Sequence, residues 1–326
     1  MSVIFSESSG LNDSLWKPIG QVLSAVIKDA DNEKNDYDKF LEDVFLIKKS
    51  NKYAEKTTGL TALGNMTPVD EGDATPMDSI HESEPKLVIH GEFKQGFFCT
   101  ERMREDADID VMKTAAQNLV LGYKRTKAQI ASDALTCAAA SFMFNGKRFD
   151  STTGDTKALF STDHAGHQSN VFTNAFGTTS AMLNKLAIIG RNIKDASGHE
   201  QGFTFNEIII PANCDELEDT VRKVIRSDLT VGSNFNDINT QKGLWKLIVD
   251  PCWHVEGNKA PYIITSSQAR KSLMASMFYN RTPLKIRKWV DENTGNLNFA
   301  SRARFVPAFR DWRAFILGGA DFGTQL

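Results

Sequence analysis

The 326-residue chain has little of what marks catalysis, redox chemistry or membrane insertion. Its four cysteines, Cys99, Cys137, Cys214 and Cys252, show no CxxC spacing. That excludes a zinc knuckle or a dithiol pair and leaves buried or incidental thiols as the expectation. No apolar run approaches the ~18 residues of a membrane span. Met1 to Gly10 lacks the basic start and apolar stretch of a signal peptide, so cytoplasmic synthesis and no membrane partner are expected. There is no GxSxG elbow, GxxxxGK[ST] phosphate loop or HExxH helix. A Ser/His/Asp set picked from the chain would have no spacing behind it. The reading is a non-enzyme without cofactor or metal. An excess of one charge is missing too: 38 basic residues stand against 41 acidic ones, for a net charge of -3. A global polycation for gripping nucleic acid is therefore excluded.

What is present is charge segregated along the chain. Pro68 to Glu84 carries Asp70, Glu71, Asp73, Asp78, Glu82 and Glu84 with no Lys or Arg. Such a stretch cannot build a core of its own, so it is disordered or laid on something else. From Arg281 to Arg313 there are eight basic and three acidic residues. Period-2 alternation puts Leu284, Ile286, Ala303 and Phe305 on one side and Lys285, Arg287, Arg302 and Arg304 on the other, a basic face on a sheet. Arg281, Lys288, Arg310 and Arg313 thicken the same region. Complementary charge sets pairing and register between surfaces more than affinity, and the two segments are expected to meet between subunits. The alternative is two ordinary solvated faces.

The remaining pattern gives the elements. Two amphipathic stretches carry Leu15, Ile19, Val22, Leu23 and Val26, then Tyr37, Phe40, Leu41, Val44 and Phe45. Alternation over Lys86 to Phe98 predicts a strand with Leu87, Ile89, Gly91 and Phe93 on one face. From Asp106, apolar spacing of 3 and 4 predicts a helix of ~35 to 40 residues. A helix over Ser180 to Ala196, a strand at Phe205 to Ile210 and a helix over Asp215 to Arg226 capped by Asn213 follow. Strands at Leu244 to Val249 and Tyr262 to Thr265 complete a central α/β unit. Leu284 to Val290, a turn at Glu292 to Gly295 and Asn298 to Val306 read as a hairpin, with Trp312 to Leu317 beyond it.

Two clusters offer metal chemistry. Asp163, His164 and His167, with His199 further on, supply the alternative of a metal-dependent enzyme, since His-x-x-His can place two imidazoles on one cation. Surface or structural histidines in a Gly- and Ser-rich loop are the competing reading. Asp106, Asp108 and Asp110 lack the Gly and Glu of a calcium loop, and acids in a first helical turn answer the helix dipole.

The order of these elements, with Ala158 to His164, Ile208 to Pro211 before a helix, and Trp312 to Phe315, resembles the major capsid (head) protein of tailed double-stranded DNA bacteriophages, with the Hong Kong ninety-seven-type fold, in its Mu-type head subunit branch. The resemblance implies an α+β chain: an N-terminal arm over 1–50, an extended β-hairpin loop over 51–105, a peripheral domain with spine helix and long strands over 106–180 and 270–326, and an axial α/β domain over 181–269. It implies self-assembly into hexamers and pentamers of an icosahedral shell, the loop of one subunit lying over its neighbour, so Pro68 to Glu84 would meet Lys285, Arg287, Arg302 and Arg304. Implied further partners are a separate scaffold protein, portal and decoration proteins, and packaged DNA enclosed without sequence-specific binding. The place would be the virion, after assembly in the host cytoplasm. A nanocompartment shell enclosing cargo enzymes shares this fold, and a tail or portal component is a third reading.

Overall fold

The computed structural model describes residues 4–7, 16–58, 65–77, 86–106, 108–173, 176, 180–194, 198–230, 237–256 and 260–319. In chain order the elements are β1 (Ile4–Glu7), α1 (Lys17–Asn32), α2 (Asp36–Val44), β2 (Leu46–Lys49), β3 (Ala54–Thr57), β4 (Lys86–Ile89), β5 (Gly91–Cys99), α3 (Glu101–Glu105), α4 (Ile109–Thr136), β6 (Ser141–Phe144), β7 (Lys147–Asp150), α5 (Ser180–Asn192), β8 (Glu207–Pro211), α6 (Asp215–Arg226), β9 (Lys246–Asp250), β10 (Tyr262–Thr265), α7 (Ser267–Leu273), β11 (Ser276–Val290), β12 (Leu297–Phe309) and β13 (Phe315–Gly318).

The hairpin β11–β12 is antiparallel from Ser276↔Phe309 to Val290↔Leu297 and organises a five-stranded sheet. β5 adds antiparallel to β12, while β1 and β2 add parallel to successive stretches of β11. The expected alternation holds: Leu284, Ile286, Ala303 and Phe305 are buried, and Phe97 and Phe93 stack on Phe299 and Phe305 at 4.8 and 4.4 Å. A second sheet runs β13-β10-β8-β9, so the last strand leaves the long hairpin and joins the central unit. One apolar cluster spans both sheets, and a second lies under α1 and the far end of β11–β12.

Residues 16–50 pack on their own chain. Pro18 opens α1, where its missing N–H costs nothing, and Leu23 and Ile27 are buried beside Met112, Ala116 and Leu119 of α4. Asn35 caps α2 by accepting from Asp38 N at 3.1 Å. Buried Lys124 of α4 donates to Glu33 O and pairs with Asp38 at 2.9 Å, which pins the α1–α2 turn to the spine.

Four expectations need correction. The spine helix is 28 residues long, about 42 Å, and not 35 to 40. It stops because Asn145 and Gly146, both at positive φ, form a tight turn that pairs β6 with β7, and Ser151 takes the carbonyls of Ala139 and Ala140. The strand over Lys86 to Phe98 breaks at His90, so Leu87 and Ile89 are exposed while Gly91 and Phe93 turn toward the core. Asn213 does not cap α6: its side chain bonds both Val255 N and Val255 O and ties down the loop after β9. Arg310 and Arg313 do not thicken the basic face, because Arg310 donates to Thr58 O and Arg313 is buried against Asp311. No helix among the described residues is long and apolar enough to cross a membrane.

The spine meets the central sheet through a buried carboxyl. Asp250, at the end of β9, accepts from Cys252 N at 2.9 Å and lies 2.6 Å from Ser132 Oγ of α4. Burial pushes Asp250 up to about 7, its hydrogen bonds opposing and Asp133 adding to the rise. A carboxyl whose folded pKa is raised holds its proton longer in the folded state, so its contribution is full below the unfolded value and is lost as pH rises through about 7. Asp250→Asn mimics the protonated form. Its stability relative to the parent should rise by about 1 kcal/mol per pH unit between pH 5 and 7 in urea melts, and a pH-independent difference would refute the assignment.

Candidate assembly surface

The acidic stretch begins as a built turn. Asp73 N donates to Asp70 O at 3.1 Å, and Gly72 sits at φ 93, a backbone conformation that few side chains accept. Residues 65–77 are all exposed, so Asp70, Glu71 and Asp73 project together. Asp78, Glu82 and Glu84 lie outside the described residues. The two roots of the loop are fixed to the body. Arg310 Nε donates to Thr58 O at 2.6 Å, and Lys86 pairs with Asp150 at 3.0 Å.

The basic residues share the outer face of the five-stranded sheet. Lys285 faces Arg302, and Arg302 faces Lys94, so three cations form one row across β11, β12 and β5. Arg287 is opposite Ala300, which faces Gly96, leaving a shallow trough of small residues beside that row. A Cβ on Gly96 would stand 2.7 Å from Phe299 O, so the trough floor cannot rise without disturbing β12. Lys285, Arg287 and Arg302 are exposed, Arg304 is half-buried, and Lys288 is buried on the opposite side of the alternation. Trp289 lies under the Arg287 guanidinium at 4.6 Å, and Phe98 is 60% exposed at the same end.

Like charges in a row repel, and Glu92 of β5 relieves this. It takes a two-pronged bond from Arg302 at 3.0 Å each and pairs with Lys94 at 2.8 Å. Those partners, Arg302 first, hold its carboxyl down at about 2. Five cations and one anion leave the face positive. Among the described residues no ion pair joins Asp70, Glu71 or Asp73 to it within one chain. Sequence reasoning found four of the cations but not Lys94, Glu92, Phe98 or the trough, because these depend on β5 pairing with β12.

The histidine cluster is brought together only in part. His164 is buried and stacked on Trp312 at 4.3 Å, with Nδ1 2.7 Å from Asp155 and Nε2 3.2 Å from Asn170 Oδ1. Asn170 is oriented by donating to Leu159 O and Phe315 O, so its oxygen faces the ring. Burial favours protonated Asp155, but hydrogen bonds from His164 and Thr153 outweigh it and hold the carboxyl at about 2. His167 is exposed and bonds Asp163 at 3.0 Å. The two imidazoles therefore serve different aspartates. No group of three or more His, Cys, Asp or Glu among the described residues is placed to hold a metal ion, so the metal-site alternative finds no support there.

His164 acts as a clamp between the 151–172 loop and the β12–β13 turn that carries Trp312. His164→Ala should cost about 2 to 3 kcal/mol in chemical denaturation, and His167→Ala less than about 0.5 kcal/mol. Chelator or added zinc should leave both melts unchanged. Equal effects of the two substitutions, or a zinc-dependent shift, would contradict the clamp.

Neither a protein-family model nor a curated protein sequence matches the chain. Solved structures do. The capsid of a native GTA particle is similar with a TM-score of 0.54 at 12% identity, over 89% of this chain and 92% of that one. The capsid of Myoviridae phage XM1 gives 0.50 at 14%, over 86% and 90%. The SrpI encapsulin of Synechococcus elongatus gives 0.51 at 11%, over 88% and 90%. At these identities the likeness establishes architecture: this chain has the α+β, Hong Kong ninety-seven-type fold of phage capsid subunits.

Proposed function

We propose that the chain is a shell subunit, the major capsid protein of a tailed double-stranded DNA phage, which assembles into hexamers and pentamers of an icosahedral head. The observation that carries this reading is a capsid fold spanning nearly the whole chain, combined with an acidic turn and a basic sheet face that, among the described residues, do not pair within one chain. In this reading 1–50 is the N-terminal region, 51–105 the extended loop, 106–180 and 270–326 the peripheral domain and 181–269 the axial domain. β5 serves the peripheral sheet and β13 the axial one. The turn at Asp70, Glu71 and Asp73 docks on the neighbour's row of Lys285, Arg302 and Lys94, flanked by Arg287 and Arg304. Asp78, Glu82 and Glu84 extend the same contact.

Each exposed pair contributes at most about 1 kcal/mol, but a closed shell repeats it around every capsomer, and losing one subunit breaks several contacts at once. The subunit then works by geometry, not catalysis, with a scaffold protein, portal and decoration proteins as partners. The net charge of -3 suits a wall that confines DNA without gripping it. An encapsulin-like nanocompartment is the second reading, favoured by the comparable similarity to SrpI.

Light scattering with negative-stain images of the purified protein should reveal capsomers or closed particles, formed alone or with a scaffold partner. The triple variant Asp70→Asn, Glu71→Gln, Asp73→Asn should assemble less and lose the salt dependence of assembly. A monomer at every salt and protein concentration tried, even with a scaffold partner, would sink the shell reading. Normal assembly of the triple variant would sink the charge pairing alone. Nuclease-protected DNA in native particles would favour the phage head over the nanocompartment.

A further inference from the structure

Where the loop hairpin leaves the five-stranded sheet, three polar atoms are buried without a hydrogen-bond partner among the described residues: Arg281 Nη1, Arg304 Nε and His90 Nδ1. The topology puts them at one corner. The β11–β12 register shifts on both sides of Thr282, which takes Arg281 out of strict alternation, and Thr282 faces Arg304. Arg304 in turn faces Glu92, two residues from His90 at the break between β4 and β5. Glu92 does not close the corner. Its nearest approach to Arg304 Nε is 3.9 Å, beyond hydrogen-bond reach, because Arg302 and Lys94 hold it.

The histidine is 2% exposed and its other nitrogen is committed. Ser50 Oγ gives its hydrogen to Glu55 and lies 3.2 Å from His90 Nε2, so Nε2 is the donor there and Nδ1 is bare in the neutral ring. Burial, helped by the positive charges of Arg281 and Arg304 and opposed by Glu55, holds His90 below its ordinary pKa. Two guanidinium N–H groups thus lie near enough to the imidazole to act on its charge, and neither Glu55 nor Glu92 accepts a hydrogen bond from them.

We propose that this corner is an oxyanion-binding site, in which a carboxylate or phosphate-type group accepts N–H bonds from Arg281 Nη1 and Arg304 Nε. Guanidinium forks suit such oxygens better than a lone water, which brings no charge. A bound anion offsets the arginine charges that add to the effect of burial on His90, so binding favours the protonated ring, whose Nδ1 then donates as a third ligand. Two sources carry this chemistry: a free inorganic anion, or an acidic side chain of a neighbouring copy. The second source rests on the shell reading above and the first does not.

The test compares melting in phosphate and in chloride at matched ionic strength, with a cryo-EM map of any assembled particle. For a free anion at ten times its Kd, phosphate should raise the melting temperature by about 2 °C, more at pH 5.5 than at pH 8. That shift should be lost in Arg281→Gln and kept in Arg287→Gln, which changes the exposed face beside Trp289 and leaves the partners of Glu92 in place. Arg304→Lys, which keeps the charge but removes Nε, should weaken it and serves if Arg281→Gln fails to fold. For a neighbour's side chain, the map should place a carboxylate within hydrogen-bond distance of both arginines, with no phosphate response. No phosphate response in an unassembled protein, or a particle whose corner holds only water, overturns the site. A phosphate response in a protein that never assembles would sink the shell reading and leave the site standing, whereas shells with a water-filled corner would do the reverse.

Discussion

The register of β11 against β12 is the constraint on which the rest of the molecule depends. Side chains alternate across a strand, so a slip of one residue would send Lys285, Arg287 and Arg302 into the core and Leu284, Ile286 and Ala303 into solvent. The penalty for burying those charges fixes the pairing more firmly than the backbone hydrogen bonds can. Once it is fixed, β5 can bring Lys94 level with Arg302 and place Phe93 and Phe97 on Phe305 and Phe299. The charged row and the aromatic layer are two faces of one register.

Much of this was legible in the residues. Helical spacing in α1, α2 and α6, and alternation in β11 and β12, follow from which side must leave water, and that is a local property. The four cations of the sheet face were readable for the same reason. Two kinds of feature were not. The stop of α4 is set by competition with an Asn145–Gly146 hairpin downstream, and period analysis of the helix alone does not register a competitor. The dipeptide itself was the available signal. The roles of Glu92, Lys94 and Arg281 depend on strand neighbours from distant sequence and on a bulge, and neither leaves a periodic trace.

The histidines illustrate the same limit. His164 and His167 are three apart in sequence, which is metal-ligand spacing, yet one is sealed against Trp312 and the other stands in solvent. What separates them is Asn170, whose amide is locked by two backbone carbonyls and so offers its oxygen to only one ring. The loop is rich in polar side chains because it must satisfy itself while crossing to β13, and polar density of that kind imitates a binding site in sequence.

The parallel docking of β1 and β2 on β11 has a consequence for growth. Between them these two short strands occupy most of one border of the five-stranded sheet, at Met277–Asn280 and Lys285–Lys288, and β5 carries Glu92 and Lys94 at the other. A bare strand border invites another copy to add by backbone pairing, and repeated addition of that kind propagates a fibre without end. Covering one border with the chain's own N-terminal segments and charging the other suppresses this route. In the shell proposed above, copies would then meet through faces and loops, whose angles can close on themselves.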